Sequence, residues 1–299
     1  MVSIGFPVYN GQSLARRALE SLLAQEYEGF ELIISDNAST DSTQSICEQF
    51  AARDSRVSYR RRAINLGAAW NFRHVLEAAR GDYFMWAAHD DTWRPQFIST
   101  LLRDLEAHPD AGVALSAVQL LDEDGQRTNV IRFDGPKNPN GLSHYQMLTG
   151  LTLSGKAKRK YNLYIYGLFR TELLRQAMRA FIDTYIADRL LMCQIALAAR
   201  FRYVDEILYE RTVGARPSHQ RYPEESFSRI FYGAHSLPRR VALDLGKMLW
   251  RSEIIPAHRK LYAPIAMWRI ARLIETHLRK ERKPENAIAL SQAGPRHDG

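Results

Sequence analysis

Cysteine is nearly missing from this chain: its 299 residues contain only Cys47 and Cys193. The two stand far apart, without the close spacing of metal ligands, so neither a disulfide framework nor a zinc site is expected. They read instead as small buried hydrophobes in a reducing, cytoplasmic compartment. Long apolar runs are lacking as well, and no stretch approaches the roughly 20 residues that span a bilayer. Residues 1–10 carry no basic n-region and no cleavage site, and they read as a buried strand rather than a signal peptide. No G-x-G-x-x-G follows that strand. Phe6-Pro7-Val8-Tyr9-Asn10-Gly11 stands there, which disfavours a dinucleotide-dependent oxidoreductase. There is no internal repeat, and no nucleic-acid reader motif, so nucleic acid is not an expected partner.

What is present fits a globular protein: 45% hydrophobic and 25% charged residues. The length suits one large α/β domain with an added segment, or two modest domains. The formal charge of +8 is unevenly placed: residues 216–299 carry 16 Lys+Arg against 8 Asp+Glu, and residues 1–215 carry 25 of each sign. A basic C-terminal segment favours phosphate-rich partners such as anionic lipid, or else is a solvated helical face.

Strand and helix patterns alternate through the first two thirds. Strands are expected at residues 2–8, 30–35, 57–61 and 82–87. Helices are expected from Ser13 as N-cap, then at 42–52 and 68–79, and from Pro95 onward. Residues 113–121 and 127–133 form a hairpin around Asp122-Glu123-Asp124-Gly125. Residues 136–141 are a loop. Residues 161–169 read as a strand, 171–181 and 186–199 as helices, and 201–209 as the last strand. From 224 the pattern is helical with basic faces, and residues 282–299 are an expected disordered tail. A βαβαβ opening implies a mostly parallel sheet that binds its ligand outside the carboxyl ends of the strands. Polar residues gather at those ends: Tyr9 and Asn10, Asp36 and Asn37, and His89, Asp90 and Asp91.

Four segments in order carry a resemblance. They are Phe6-Pro7-Val8-Tyr9-Asn10; the turn from Ser35-Asp36-Asn37 through Ser39, Thr40, Asp41 and Thr43; Asn65-Leu66-Gly67; and Gly81-Asp82-Tyr83 leading to His89-Asp90-Asp91 and Pro95. Together they resemble the family 2 inverting glycosyltransferases of the GT-A fold, well over about the first hundred residues and weakly to about residue 215. The resemblance implies a Rossmann-like mixed, mostly parallel sheet flanked by helices over residues 1–215, followed by a basic helical extension over 216–281.

It also implies an activity: inverting transfer of a sugar from a nucleoside diphosphate carrier, a UDP-sugar first among them, to a saccharide or lipid-linked hydroxyl. Surface polysaccharide or glycolipid synthesis is the expected setting. Pro7, Val8, Tyr9, Asn10, Asp36, Asn65, Gly67 and Asp90 are the implied nucleotide-binding positions. Asp36 has a second reading as a turn cap, and Asn65 and Gly67 as a helix-start turn.

The family's Asp-x-Asp metal motif aligns with Ala88-His89-Asp90, so Ala88 replaces the first aspartate. Asp90, with help from Asp91, is the implied ligand of Mg²⁺ or Mn²⁺, which need only one or two carboxylates beside phosphate oxygens and waters. The loss at Ala88 also leaves open a degenerate protein that binds nucleotide-sugar without transfer. His89 reads as a lining residue or a ligand, and Trp93 as packing under the loop or as a stacking surface.

Asp188, within Ala187-Asp188-Arg189, aligns with the catalytic base. Its alternative is a helix N-terminal carboxylate stabilised by the dipole, and Asp183 is the rival. Gly167 resembles a small residue near the acceptor, and Arg211 and His219 are candidate diphosphate or metal contacts. For the extension, Pro264 opens a helix on which Met267, Ile270, Ala271, Ile274 and Leu278 share one face. Arg269, Arg272, Arg279 and Lys280 lie mostly opposite, the pattern of a peripheral membrane helix or of a packed surface helix.

Overall fold

A computed structural model describes residues 1–133, 138–151, 163–180, 187–213 and 237–281. Asp183, His219, the basic run 156–160 and the tail 282–299 lie outside the described residues.

β1 (Val2–Val8) and β2 (Phe30–Asp36) are buried along their whole lengths. Such near-continuous runs, rather than alternating ones, are what a parallel sheet covered on both faces requires. β3 (Val57–Arg61) and β4 (Tyr83–Trp86) complete a parallel block in the order β3-β2-β1-β4. The helices between them are α1 (Gln12–Leu23), α2 (Thr43–Arg53) and α3 (Ala68–Ala78). On α1, Ala15, Ala18, Leu19 and Leu22 are fully buried, at the spacing that makes one apolar face.

Chain order sets the position of the cleft. From β1 to β3 the chain moves outward in one direction, and then it crosses back to place β4 on the other side of β1. Right-handed crossovers therefore put α3 on the face opposite α1 and α2. The loops after β1 and β4 diverge at that reversal, and a crevice opens at the carboxyl edge.

The second half turns the sheet. Short β5 (Thr92–Trp93) precedes α4 (Phe97–Ala107), followed by the hairpin of β6 (Ala111–Leu121) and β7 (Arg127–Ile131). β8 (Leu168–Arg170) runs antiparallel between β4 and β6. β9 (Arg200–Thr212) pairs with β6 in parallel and with β5 in antiparallel sense. The result is a nine-stranded mixed α/β sheet, most of it parallel, with helices on both sides. Around it lie α5 (His144–Leu151), α6 (Thr171–Arg179) and α7 (Ala187–Ala198). Both cysteines are buried and free, and burial pushes each thiol up to about 12.

Several local expectations need correction. α1 begins at Gln12 with Gly11 as N-cap, ahead of Ser13. Its exposed amides are met from outside, because Thr43 Oγ1 accepts from both Gly11 N and Gln12 N at 2.8 and 3.1 Å. Within the expected strand at 161–169, the described residues form a short 3₁₀ turn, Tyr164–Tyr166, followed by β8. β5 carried no periodic signal, since two residues are too few for one.

The C-terminal helices continue the same core. α8 (Leu237–Arg251), α9 (Ala257–Lys260) and α10 (Ala263–Glu281) follow β9. Leu245, Leu249, Ala266 and Ile270 are fully buried in one cluster with the sheet residues. Buried Gln194 on α7 donates to Ser252 Oγ at 2.8 Å, and Arg259 donates to the Leu197 carbonyl at the end of α7 at 3.1 Å. The face expected to meet a membrane is therefore in part a packing face. Ile270 is buried, and Met267 lies so close to Gly246 that an added Cβ would come within 2.3 Å of its sulfur.

Gly167 immediately precedes β8, where the chain enters the sheet beside β6. A Cβ there would stand 2.6 Å from the Ala114 carbonyl oxygen, and backbone cannot swing aside as a side chain can. Gly167→Ala is expected to lower unfolding free energy by about 1–3 kcal/mol, the cost of overpacking. Chemical denaturation checks this, and unchanged stability would show that β8 is free to shift.

Candidate functional site

The strand ends meet at the carboxyl edge through side-chain hydrogen bonds. Pro7 is tolerated inside the sheet because Gly5, two residues earlier, makes the last ladder bond to β4, accepting from Ala87 N at 2.8 Å. Beyond it the β4 side offers no partner for the amide that proline lacks. Pro7 and Val8 are buried, Tyr9 is half-buried and Asn10 is exposed, so only the last two reach the crevice surface.

Asn10 joins the β1 and β2 loops. Its amide donates to Ser39 Oγ at 3.0 Å, and its Oδ1 accepts from Thr40 N at 2.9 Å. Asp36 is fully buried. Its Oδ1 accepts from Ser39 N at 2.8 Å, its Oδ2 accepts from the Tyr59 hydroxyl at 2.9 Å, and Arg61 lies 3.7 Å away. This carboxylate holds the loop together from beneath.

Asn37 ties in the third segment. Its Nδ2 donates to Asn65 Oδ1 at 2.6 Å and to the Gly67 carbonyl at 3.1 Å, and its Oδ1 accepts from Leu66 N at 2.9 Å. Gly67 has φ +87°, a conformation open to glycine at little cost. Positive φ recurs at Asn10 (50°), Gln12 (44°) and Ala38 (66°). These lie in the loops of this same edge, where the hydrogen bonds just described hold otherwise disfavoured backbone.

Beyond β4, Asp90 is half-buried and Asp91 is buried. Asp91 accepts from the Tyr209 hydroxyl and, at 3.1 Å, from Thr212 N. Arg17 on α1 donates to Thr212 Oγ1 at 2.8 Å and to the Asp90 carbonyl at 3.5 Å. These contacts fasten the Asp90-Asp91 segment to the end of β9, which brings Arg211 to the crevice. Its guanidinium lies over the Tyr166 ring at 5.6 Å, and its charge acts on Asp90, Asp91 and Asp188. Burial pushes the Asp188 carboxyl above the ordinary carboxylate range, against the pull of Arg189 and Arg211. Asp188 opens α7 and its Oδ1 accepts from Arg189 N at 2.8 Å. Trp93 is buried and stacks on Tyr209 at 5.7 Å, which makes it a packing residue. His89 lies beside Gly11.

Among the described residues, no group of three or more His, Cys, Asp and Glu is placed to hold a metal ion. Asp91 has both oxygens engaged by strand β9, and Asp90 is the carboxylate of the pair that remains half-exposed. That donor set fits a hard cation that takes its other ligands from phosphate oxygens and water.

Sequence reasoning did not single out Arg17, Tyr209 or Asn71. Asn71 is a buried amide on the apolar face of α3, and its Nδ2 donates to the Ser35 carbonyl at 2.9 Å. A lone amide among Val75 and Leu76 was the available signal. Arg17 and Tyr209 gave none, because their partners lie 195 and 118 positions away in the chain.

Burial first, and then the Asp90 charge, push the Asp91 carboxyl up to about 7. A carboxyl that holds its proton more tightly folded than unfolded contributes stability in acid, and that contribution is lost as pH rises through about 7. His74 and His144 are held below the ordinary histidine range, chiefly by burial, so they act in the opposite sense. The Asp91 share is therefore read as a difference: the stability advantage of wild type over Asp91→Asn should shrink between about pH 5 and pH 8. Parallel stability curves across that range would exclude a raised Asp91.

Comparison with known proteins gives the family. The family model described as Glycosyl transferase family 2 matches residues 3–175. The putative glycosyltransferase EpsE of Bacillus subtilis is 34% identical over 127 residues, covering 42% of this chain and 46% of EpsE. The putative colanic acid biosynthesis glycosyl transferase WcaA of Escherichia coli is 36% identical over 102 residues, covering 34% of this chain and 37% of WcaA. The chain thus spans less than half the length of either relative. Among solved structures, S. aureus TarS in complex with UDP-GlcNAc superposes with a TM-score of 0.67 at 18% identity, over 96% of this chain and 77% of that one. The matched segment holds β1 to β4 and the loops that form the crevice, and it covers more than half of the sequence. This chain belongs to glycosyl transferase family 2.

Proposed function

We propose that this chain transfers a sugar from a nucleoside diphosphate sugar, with inversion, to a hydroxyl of a saccharide or lipid-linked acceptor in polysaccharide or glycolipid synthesis. The observation that carries this reading is the fastening of the Asp90-Asp91 segment to the end of β9 through Tyr209 and Thr212, which sets Arg211 beside these carboxylates and within electrostatic reach of Asp188. TarS with UDP-GlcNAc, and the Pyrobaculum calidifontis mannosyltransferase with GDP-Man and Mn²⁺, share the fold and support a nucleotide-sugar donor. UDP-sugars come first.

In this reading the nucleoside lies over the loops after β1 and β2. Tyr9 and Asn10 meet it at the surface, Pro7, Val8 and Asp36 hold those loops from below, and Asn65 and Gly67 border it. The diphosphate points toward Asp90 and Arg211. The acceptor oxygen attacks the anomeric carbon as the bond from that carbon to the diphosphate oxygen breaks. The bonding electrons leave with the diphosphate, and the acceptor proton passes to Asp188. The sugar centre is oxocarbenium-like in between. Arg211 stabilises the charge that develops on the leaving diphosphate. Asp90 would hold a divalent cation, Mg²⁺ or Mn²⁺, which supplies Lewis-acid neutralisation of the same charge. A carboxyl raised by burial is a stronger base than a solvated one, which suits Asp188 to its part.

Asp188→Asn keeps the oxygen that accepts from Arg189 N and removes the basicity. It is expected to fold and bind UDP nearly as wild type, while consumption of the UDP-sugar falls by about 10²–10⁴-fold. Near-normal turnover in Asp188→Asn, with Asp183→Asn inactive, would move the base to Asp183. Activity is also expected to vanish in excess chelator and to return with Mn²⁺, and Asp90→Ala should cost far more than His89→Ala. Full activity in chelator would assign the whole of charge neutralisation to Arg211. Ala88 favours one alternative, a chain that binds the donor and never turns it over. UDP binding by calorimetry, with no donor hydrolysis in either metal, would establish that alternative.

A further inference from the structure

Of the five tryptophans in the sequence, Trp86 and Trp93 are buried, while Trp250 and Trp268 are 65% and 59% exposed. Both exposed rings stand on the C-terminal helices. Along α8, Leu243, Lys247 and Trp250 are exposed at a spacing of four and then three residues. Before and along α10, Leu261, Ile265, Trp268 and Arg272 are exposed at four, three and four. Each set is one stripe of a helix.

The two stripes share a side. Leu245, Met248 and Leu249 of α8 and Ala266 and Ile270 of α10 point into the common core. Gly246 and Met267 meet between the helices. Lys260 Nζ donates to the Trp250 carbonyl at 2.8 Å, which draws the end of α8 toward Leu261. With inner faces inward and neighbouring faces together, both exposed stripes lie on the outer side of a two-helix layer.

That outer side combines large apolar groups with positive charge. Lys247, Arg251 and Arg272 are exposed there, with Asp244 4.0 Å from Lys247, whereas Arg259 and Arg269 turn inward to the carbonyls of Leu197 and Thr149. Arg272 lies over the Trp268 ring at 5.4 Å, and Lys247 and Arg251 flank Trp250. Tryptophan, with an apolar body and a polar N–H, suits a boundary between hydrocarbon and water. Lysine and arginine extend apolar stems while keeping their charge at the level of lipid headgroups. Facing a second copy of itself, the same surface would set like charges against each other, which opposes association. Facing an anionic bilayer, it gains from both the apolar and the charge term.

We propose that the outer face of α8 and α10, through Trp250, Leu261, Ile265 and Trp268, docks this chain on an anionic lipid surface. The face differs from the one that helical periodicity selects, because Met267 and Ile270 are spent on packing. No helix among the described residues is long and apolar enough to cross a membrane, so contact here is at the surface. The proposal does not depend on the transfer reaction, and its test does not use turnover.

The test is flotation of the full chain with phosphatidylcholine vesicles, with and without phosphatidylglycerol, at low salt. Recovery is expected with the anionic vesicles, accompanied by a blue shift of tryptophan emission, and to be weak with the neutral ones. The double variant Trp250→Ala/Trp268→Ala should lose roughly tenfold or more in partitioning, since it removes the largest inserted groups. Lys247→Glu/Arg251→Glu should lose the preference for anionic lipid. Both variants alter exposed side chains and should melt as wild type and bind UDP equally. Equal recovery from both kinds of vesicle, or unchanged partitioning by the tryptophan variant, would overturn the proposal. So would a concentration-dependent dimer that the tryptophan variant abolishes, because the face would then belong to a second copy.

Discussion

Asp91 accepts hydrogen bonds from the Tyr209 hydroxyl and the Thr212 amide in a buried position. The interaction joins a residue that follows β4 to the end of a strand more than a hundred residues later. A buried carboxylate is costly unless its oxygens are satisfied, and β9 satisfies them. The same contact fixes how far β9 extends over the carboxyl edge and so where Arg211 stands. Without it, the parallel block could still form around β1, but its crevice would lack a cationic wall. Arg17 reinforces the joint from α1 through Thr212 and the Asp90 carbonyl.

Two kinds of polar burial therefore divide the work at this edge. Asp36 and Asn37 are buried side chains that bind loop backbone, and buried Asn71 holds the end of β2, so together they set the shape of the crevice floor. Asp90, Asp188 and Arg211 keep some surface exposed, although burial still dominates the electrostatics of Asp188. The strained backbone at Asn10, Gln12 and Ala38 belongs with the first kind. It persists because side-chain hydrogen bonds from neighbouring loops leave it no relaxed alternative. A floor held in this way changes little when a ligand arrives, whereas charges at a crevice surface gain most when water is displaced.

The C-terminal helices extend the same economy of faces. One side of α8 and α10 completes the core over α7, and the opposite side exposes tryptophan beside lysine and arginine. Helical periodicity identified an amphipathic element but could not say which face turns inward. A helix carrying Met267 and Ile270 on one side and Ile265 and Trp268 on another has two apolar stripes. Which stripe packs depends on Gly246, whose missing side chain makes room for Met267.

The order of strands and helices through the parallel block was legible in the sequence. Hydrophobic periodicity and turn residues are local, and β1, β2, β3 and α3 follow them within a residue or two. The ordered motifs at the strand ends also located the crevice, because in a parallel sheet every such end opens on the same edge. Contacts across the chain were not legible. β5 is too short to carry a period, and α5 lies in a stretch to which the sequence pattern assigned no element. The partners of Asp36 and Asp91 come from Tyr59, Tyr209 and Thr212, and nothing near either aspartate in sequence announces them. Residue type and spacing gathered carboxylates at the strand ends, and the family resemblance alone offered Arg211 as a candidate beside them. Only tertiary structure decided which are buried as struts and which face the crevice, because burial is a property of what long-range packing places on top.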